Sequence, residues 1–523
     1  MRGLLPLGNQ AIEDALNSNR DIIAPPSSFA YLISLRAMRK PMLVITASSR
    51  AAEDLAKEIR ECHADTLEFP AWETLPHERL SPSSDTVAKR ISTLQALQDK
   101  NRNWVVVAPI RAVIHKFNSQ IVKTKPIILD RGLEFDLTEL QRELIAFSYT
   151  RTDLVERRGE YAVRGGILDI FPPDQSHPIR IDFFGDEIEE LSYFAVADQR
   201  TSNSISKPIQ ILPCRELLIT GEIRERAQEL SANFENEILS KIGNGLLPEG
   251  MESLIPLLVE ELQLINQLMP SGYETVFIER ERVVSRISDL LATNEEFREA
   301  AWSNAAVGGK APIEANSTYI DWDALVEQLP VLKDFRQFGS DQDQFLEIEP
   351  IEPLRGNSDR LISILESGLD QKKRVIFSAS SKGMIDRYAS IFRDANLPVQ
   401  LQFPFNAAPT SGHITLTASA FRNGFCDDEF VFITERDLTG SQSAGSEKLP
   451  SRRKKSIDPL QLRSGDYVVH EQHGIGRYVE MAQRSVGGVV REYLVIEYAP
   501  AKRGQPGDRI FVPTDSLDQI SKY

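Results

Sequence analysis

Hydrophobic and polar positions change period several times along this chain, and each change marks a different kind of element. Residues 29–40 read as a helix that Pro41 ends, and 49–62 carry Ala52, Leu55, Ala56 and Ile59 three and four apart, which predicts a helix with one buried stripe. Short runs that are apolar at every position follow each pattern, MLVIT at 42–46 and WVVVA at 104–108, with another helix predicted over 84–98. Strands apolar on both faces belong in a parallel sheet covered by helices, so the first 125 residues predict an α/β unit.

The period then becomes two. In IRIDFF at 179–184, Ile179, Ile181 and Phe183 fall on one face of a strand and Arg180, Asp182 and Phe184 on the other, with Gly185-Asp186 supplying a hairpin turn. Upstream, Tyr161 and Val163 alternate into Arg164-Gly165-Gly166 and a second strand at 167–170 that stops at Pro172-Pro173. An arginine beside an aromatic on a polar face has two readings: a docking surface, or a face covered by another part of the same chain.

Helical signals dominate 221–267, and an apolar strand returns at 273–278, so 126–212 reads as a β-rich module inserted into an α/β fold that resumes over 213–340. A further α/β pattern occupies 341–440, with helices at 358–369 and 382–395 and strands at 374–378, 413–417 and 429–434. Residues 441–460 are small, polar and finally basic (Arg452 to Lys455), a solvated tether. From 461 to 523, short strands at 467–470, 477–481, 492–498 and 509–513 alternate with glycine turns, which predicts a small β-barrel. Its eight basic residues are matched by eight acidic ones, a balance that favours protein over DNA as its partner. A strand edge beside Arg484-Ser485-Val486-Gly487-Gly488 is suited to accepting a partner strand.

Composition narrows the chemistry. At 523 residues the chain exceeds one core, and roughly three to five domains are expected. No apolar run approaches the ~20 residues of a membrane span, and the first residues lack a secretory pattern, so a cytoplasmic protein without membrane contact is expected. Cys62, Cys214 and Cys426 are too scattered for a disulfide framework or a zinc module. His470 and His473 stand without a third histidine or a cysteine, so no metal site is assigned. A net charge of −16 argues against nonspecific wrapping by DNA. Where a phosphate loop would lie, between the first strand and helix, the chain reads IIAPPSS at 22–28, with no glycine or lysine and with prolines that remove backbone donors. Gly308-Gly309-Lys310-Ala311 lacks both the spacing and the hydroxyl. No catalytic residue and no bound cofactor are therefore expected in this chain.

Three sets of motifs together, FPAWETLPHERLSP at 69–82, RGGILDIFP with RIDFFGDEIE between 164 and 189, and DYVVHEQHGIGRYVEM with REYLVIEY and IFVPTDSLDQISKY between 466 and 523, resemble the N-terminal half of the bacterial transcription-repair coupling factor family, Mfd. The resemblance covers nearly the whole chain. It implies a UvrB-like module of domains 1a (1–125, with a degenerate nucleotide site), 2 (126–212) and 1b (213–340), then domain 3 (341–440) and a CarD-like, Tudor-like barrel (461–523). It further implies that Arg164, Arg180 and Phe184 contact the repair protein UvrA, the arginines through charge-assisted bonds and Phe184 as apolar anchor. The barrel would engage the β subunit of RNA polymerase around Arg484, Val486, Gly487 and Gly488; Arg484 stands where relatives can carry an apolar contact residue. In the intact family member, ATP and Mg²⁺ drive translocation on double-stranded DNA; those motifs are not in this chain, which reads as a fragment ending where they would begin. Two other readings are a UvrB-type helicase or repair subunit, which ATPase activity of this chain would favour, and a CarD-like transcription regulator with a structural N-terminal part.

Overall fold

Seven short strands, all parallel, make the first sheet, in the order Gln344–Phe345, Ile22–Ile23, Leu332–Arg336, Glu274–Ile278, Met42–Thr46, Val105–Pro109, Thr66–Glu68. The structure, a computed structural model, describes residues 1–74, 80–234, 236–306, 318–340, 342–439, 464–470, 474–486, 489–498, 509–513 and 520–522. Met42–Thr46 and Val105–Pro109 are buried at every position, as their unbroken apolar runs require. Glu274–Ile278, from beyond the β-rich segment, pairs directly with Met42–Thr46, so one sheet draws on chain from both sides of the insert. The helix Ser49–Cys62 starts where the Ser48 side chain accepts the Ala51 N–H. At 24–28, a proline-led 3-10 turn, Pro26–Ser28, leads into the helix Phe29–Ala37, and Ser28 Oγ donates to the Pro25 carbonyl at 2.8 Å.

The insert is a six-stranded sheet ordered Thr201–Ser204, Glu187–Phe194, Ile179–Phe184, Ile167–Ile170, Glu160–Arg164, Thr150–Arg151. Ile179, Ile181, Leu168, Ile170 and Tyr161 pack its inner face against Leu140 and Leu144 of a helix, Leu137–Ala146, that strand periodicity did not announce. Asp136 caps that helix by accepting the N–H groups of Thr138 and Glu139 at 2.7 and 2.9 Å.

Where the chain leaves the insert, Glu216 meets Arg90 of the helix Ser84–Ala96, and both side chains are wholly buried. Arg90 Nε donates to Glu216 Oε1 at 2.5 Å and Nη1 to the Pro70 carbonyl at 2.9 Å, while Trp72 Nε1 donates to the same carboxylate at 2.9 Å. The guanidinium carbon lies 4.1 Å from the Phe69 ring centroid.

A second α/β sheet follows, in the order Glu349–Pro350, Phe425–Cys426, Phe430–Thr434, Arg374–Ala379, Ile414–Ala418, Val399–Leu401. Its core is continuous with that of the first unit: the buried Tyr31 ring lies 5.5 and 5.9 Å from those of Phe425 and Phe430. Gly3 donates its N–H to the Phe405 carbonyl at 2.9 Å, and a Cβ there would collide with the Ala407 carbonyl. The nearly buried Glu58 accepts the Arg422 N–H at 3.0 Å, and burial lifts its carboxyl pKa to about 7 against the opposing backbone bond and Arg436.

The C-terminal strands form an antiparallel sheet ordered Arg509–Pro513, Val489–Glu497, Gly474–Val486, Tyr467–His470, Ile520–Lys522, with Val468, Tyr478, Leu494, Ile496 and Val512 buried. Among the described residues the two end strands are not paired with each other, so what is seen is a sheet, short of the closed barrel that the turn spacing predicts. The tether at 441–460, His473 and the Gly308-Gly309-Lys310-Ala311 run lie outside the described residues. No described helix is long and apolar enough to cross a membrane.

Arg90→Ala or Glu216→Ala leaves one buried charge unpaired, and each should cost about 3–5 kcal/mol in urea unfolding, with the double variant losing less than the sum of the two. Glu58 gives a pH signature. Between the ordinary glutamate value and about 7, the folded chain holds a proton that the unfolded chain has released, so stability falls as pH rises through that window. Glu58→Gln should flatten the melting temperature between pH 5 and pH 7.5; an unchanged slope would show that another group sets it.

Candidate functional site: the hairpin end of the inserted sheet

Two tight turns lie at the same end of the inserted sheet. Arg164 pairs with Ile167 across Gly165-Gly166, and Phe184 pairs with Glu187 across Gly185-Asp186; Gly165 and Gly185 adopt φ of 61° and 65°, values that favour glycine. The turns are tied to each other, because Phe183 donates its N–H to the Gly166 carbonyl at 2.8 Å and a Cβ on Gly166 would stand 3.0 Å from the Phe183 carbonyl.

Strand Ile179–Phe184 splits as its alternation predicts. Ile179 and Ile181 are fully buried and Phe183 packs partly on the same core, whereas Phe184 is 78% exposed. A register shift between Asp182 and Phe183, where Asp182 faces Glu190 but Phe183 faces Ile188, bends the strand just before its tip. Of the two readings of Phe184, cover by another part of the chain is not what the described residues show.

Arg180 stands differently. It is the direct cross-strand partner of Asp169, and its side chain is only 19% exposed. Its Nε and Nη2 donate to the two Asp169 carboxylate oxygens at 2.8 and 2.9 Å, and Nη1 donates to the Gln199 carbonyl and Thr201 Oγ1, both at 3.3 Å. The guanidinium carbon also lies 4.9 Å from the ring centroid of the buried Phe194. Bonding to Asp169 holds the Arg180 pKa above its ordinary value, against desolvation. Partial burial raises the pKa of Asp182; Arg180 opposes the shift, and Glu190, Asp169 and Glu189 reinforce it. Arg164 is exposed at the end of its strand, where Nη2 donates to the Asp153 carbonyl.

The structure thus puts Arg164 and Phe184 at the turn end of one sheet, sets Arg180 further back on the strand that ends in Phe184, and gives Arg180 an intramolecular commitment that alternation could not reveal. Asp169 was visible only as a polar position in an apolar strand, ILDI, and that oddity was its available signal. In the C-terminal sheet, register sets Arg484 opposite Arg491 and Val486 opposite Val489 on the two long strands. Gly487 and Gly488 lie outside the described residues, as do the side chains of Arg484 and Val486. Among the described residues no group of three or more His, Cys, Asp or Glu is placed to hold a metal ion.

Comparison with known proteins matches three segments to family models: residues 127–217 to the UvrB interaction domain, 369–438 to the MFD D3 domain, and 462–523 to the CarD-like/TRCF RID domain. The chain is similar to the transcription-repair-coupling factor of Mycobacterium tuberculosis (strain CDC 1551 / Oshkosh), at 36% identity over 96% of this chain and 44% of that protein. It is likewise similar to the factor of the same name from Escherichia coli (strain K12), at 27% identity over 92% of this chain and 43% of that protein. The chain therefore spans less than half the length of these relatives. Three domain matches in order, with similarity along nearly the whole chain, show that it belongs to the transcription-repair-coupling factor family.

Proposed function

We propose that this chain is an adaptor that docks the repair protein UvrA on the hairpin end of its inserted sheet and the β subunit of RNA polymerase on its C-terminal sheet. The observation that carries the first half is Phe184, an aromatic ring 78% exposed at a glycine turn, with Arg164 at the neighbouring turn. Leaving such a ring in water forgoes roughly 2 kcal/mol of burial, a cost that a partner pocket would reverse. The match of residues 127–217 to the UvrB interaction domain supports the same reading. The second half rests on the match of residues 462–523 to the CarD-like/TRCF RID domain, which also favours a sheet that closes into a barrel. The segment around Arg484, Val486, Gly487 and Gly488 is the proposed polymerase contact, through a strand edge suited to accepting a partner strand. In an intact protein of this family, ATP-driven translocation on double-stranded DNA would couple the two acts.

Two variants separate the halves. Phe184→Ala should weaken binding to UvrA by more than about tenfold while leaving binding to the polymerase β subunit unchanged. Val486→Asp should do the reverse. Titration of the full chain with each purified partner reads both, and a Phe184→Ala chain that binds UvrA within threefold of the native one, less than about 0.7 kcal/mol, would defeat the anchor assignment.

A further inference from the structure

We propose that Ile167 is a second apolar contact of the surface that docks UvrA, standing beside Phe184 at the turn end of the inserted sheet. This inference rests on the reading that the hairpin end binds UvrA. The strand Ile167–Ile170 turns Leu168 and Ile170 into the core of the insert, so Ile167 and Asp169 leave by the opposite face. That opposite face holds a smaller apolar cluster of Val155, Ala162, Phe171 and Phe194. Ile167 belongs to neither cluster and stays partly exposed.

Register sets its neighbours. Ile167 is the direct cross-strand partner of Arg164 on one side and of Asp182 on the other. Phe184 follows Asp182 by two residues on the same strand and leaves by the same face, which makes it the diagonal neighbour of Ile167. Diagonal neighbours stand roughly 7–8 Å apart, within reach of an aromatic ring. The outer face at this end therefore carries Ile167 and Phe184 side by side, with Arg164 and Asp182 flanking Ile167. An apolar centre with charges at its edge is the anatomy of a protein-docking patch. Strand stability alone does not ask for isoleucine between two charged residues on an outer face. Threonine is branched at the same carbon, suits a strand as well, and would offer water a hydroxyl. What isoleucine adds is apolar area, and a covering partner would take that area out of water together with the Phe184 ring.

The test uses the full chain and purified UvrA. Ile167→Thr keeps the branched carbon and the strand preference and removes the apolar end of the side chain. Its dissociation constant for UvrA should rise roughly fivefold, with the urea midpoint of the chain unchanged. A rise of less than about threefold overturns the proposal. So does a chain that loses its fold on the same change, because Ile167 would then be a core residue and not a contact. Phe184→Ala is titrated alongside and separates the two claims. If Phe184→Ala weakens binding and Ile167→Thr does not, only the second contact fails; if Phe184→Ala binds normally, it is the UvrA reading of this surface that fails.

Discussion

The buried pair of Arg90 and Glu216 fixes where the inserted sheet joins the α/β unit. Neither charge touches water, so each is tolerable only in the presence of the other, and breaking the pair leaves a bare ion in an apolar setting. Everything nearby is arranged around that requirement. The Phe69 ring lies against the guanidinium, Trp72 adds a hydrogen bond to the carboxylate, and the Pro70 carbonyl takes another guanidinium proton. Burial and the neighbouring Arg90 and Arg111 hold the pKa of His115, packed edge-on to Trp72, well below its ordinary value, which avoids a further cation. Arg158 of the insert reaches Asp85 of the helix Ser84–Ala96 at 3.2 Å, a second tie between the same two parts.

A similar pairing recurs within the inserted sheet, with a different consequence. Arg180 and Asp169 form a cross-strand pair on the face opposite the main core, and they tie the strand Ile179–Phe184 to its neighbour Ile167–Ile170. The inner face supplies stability through apolar burial, and the outer face carries directed bonds.

Much of the architecture was legible in the sequence because it follows from local period. Runs such as MLVIT and WVVVA can be nothing but buried strands once helical stretches flank them, and the alternation in IRIDFF foretold which of its residues are inside. The two-residue strands Ile22–Ile23 and Gln344–Phe345 were not legible, since two residues carry no period. The helix Leu137–Ala146 escaped because it is short and lies in a segment read as strands.

By itself, the sequence determined the succession of α/β, β and α/β patterns, the glycines that set both hairpin turns, the absence of a phosphate loop at 22–28, and the family motifs. These are statements about neighbours along the chain. Only the tertiary structure decided that Glu216 would meet Arg90, that Asp169 would claim Arg180, and that Phe184 would stay in water. The reason is physical: a local pattern tells which face a side chain leaves by, but its charge partner and its exposure depend on residues brought together from far along the chain, and no period encodes that meeting.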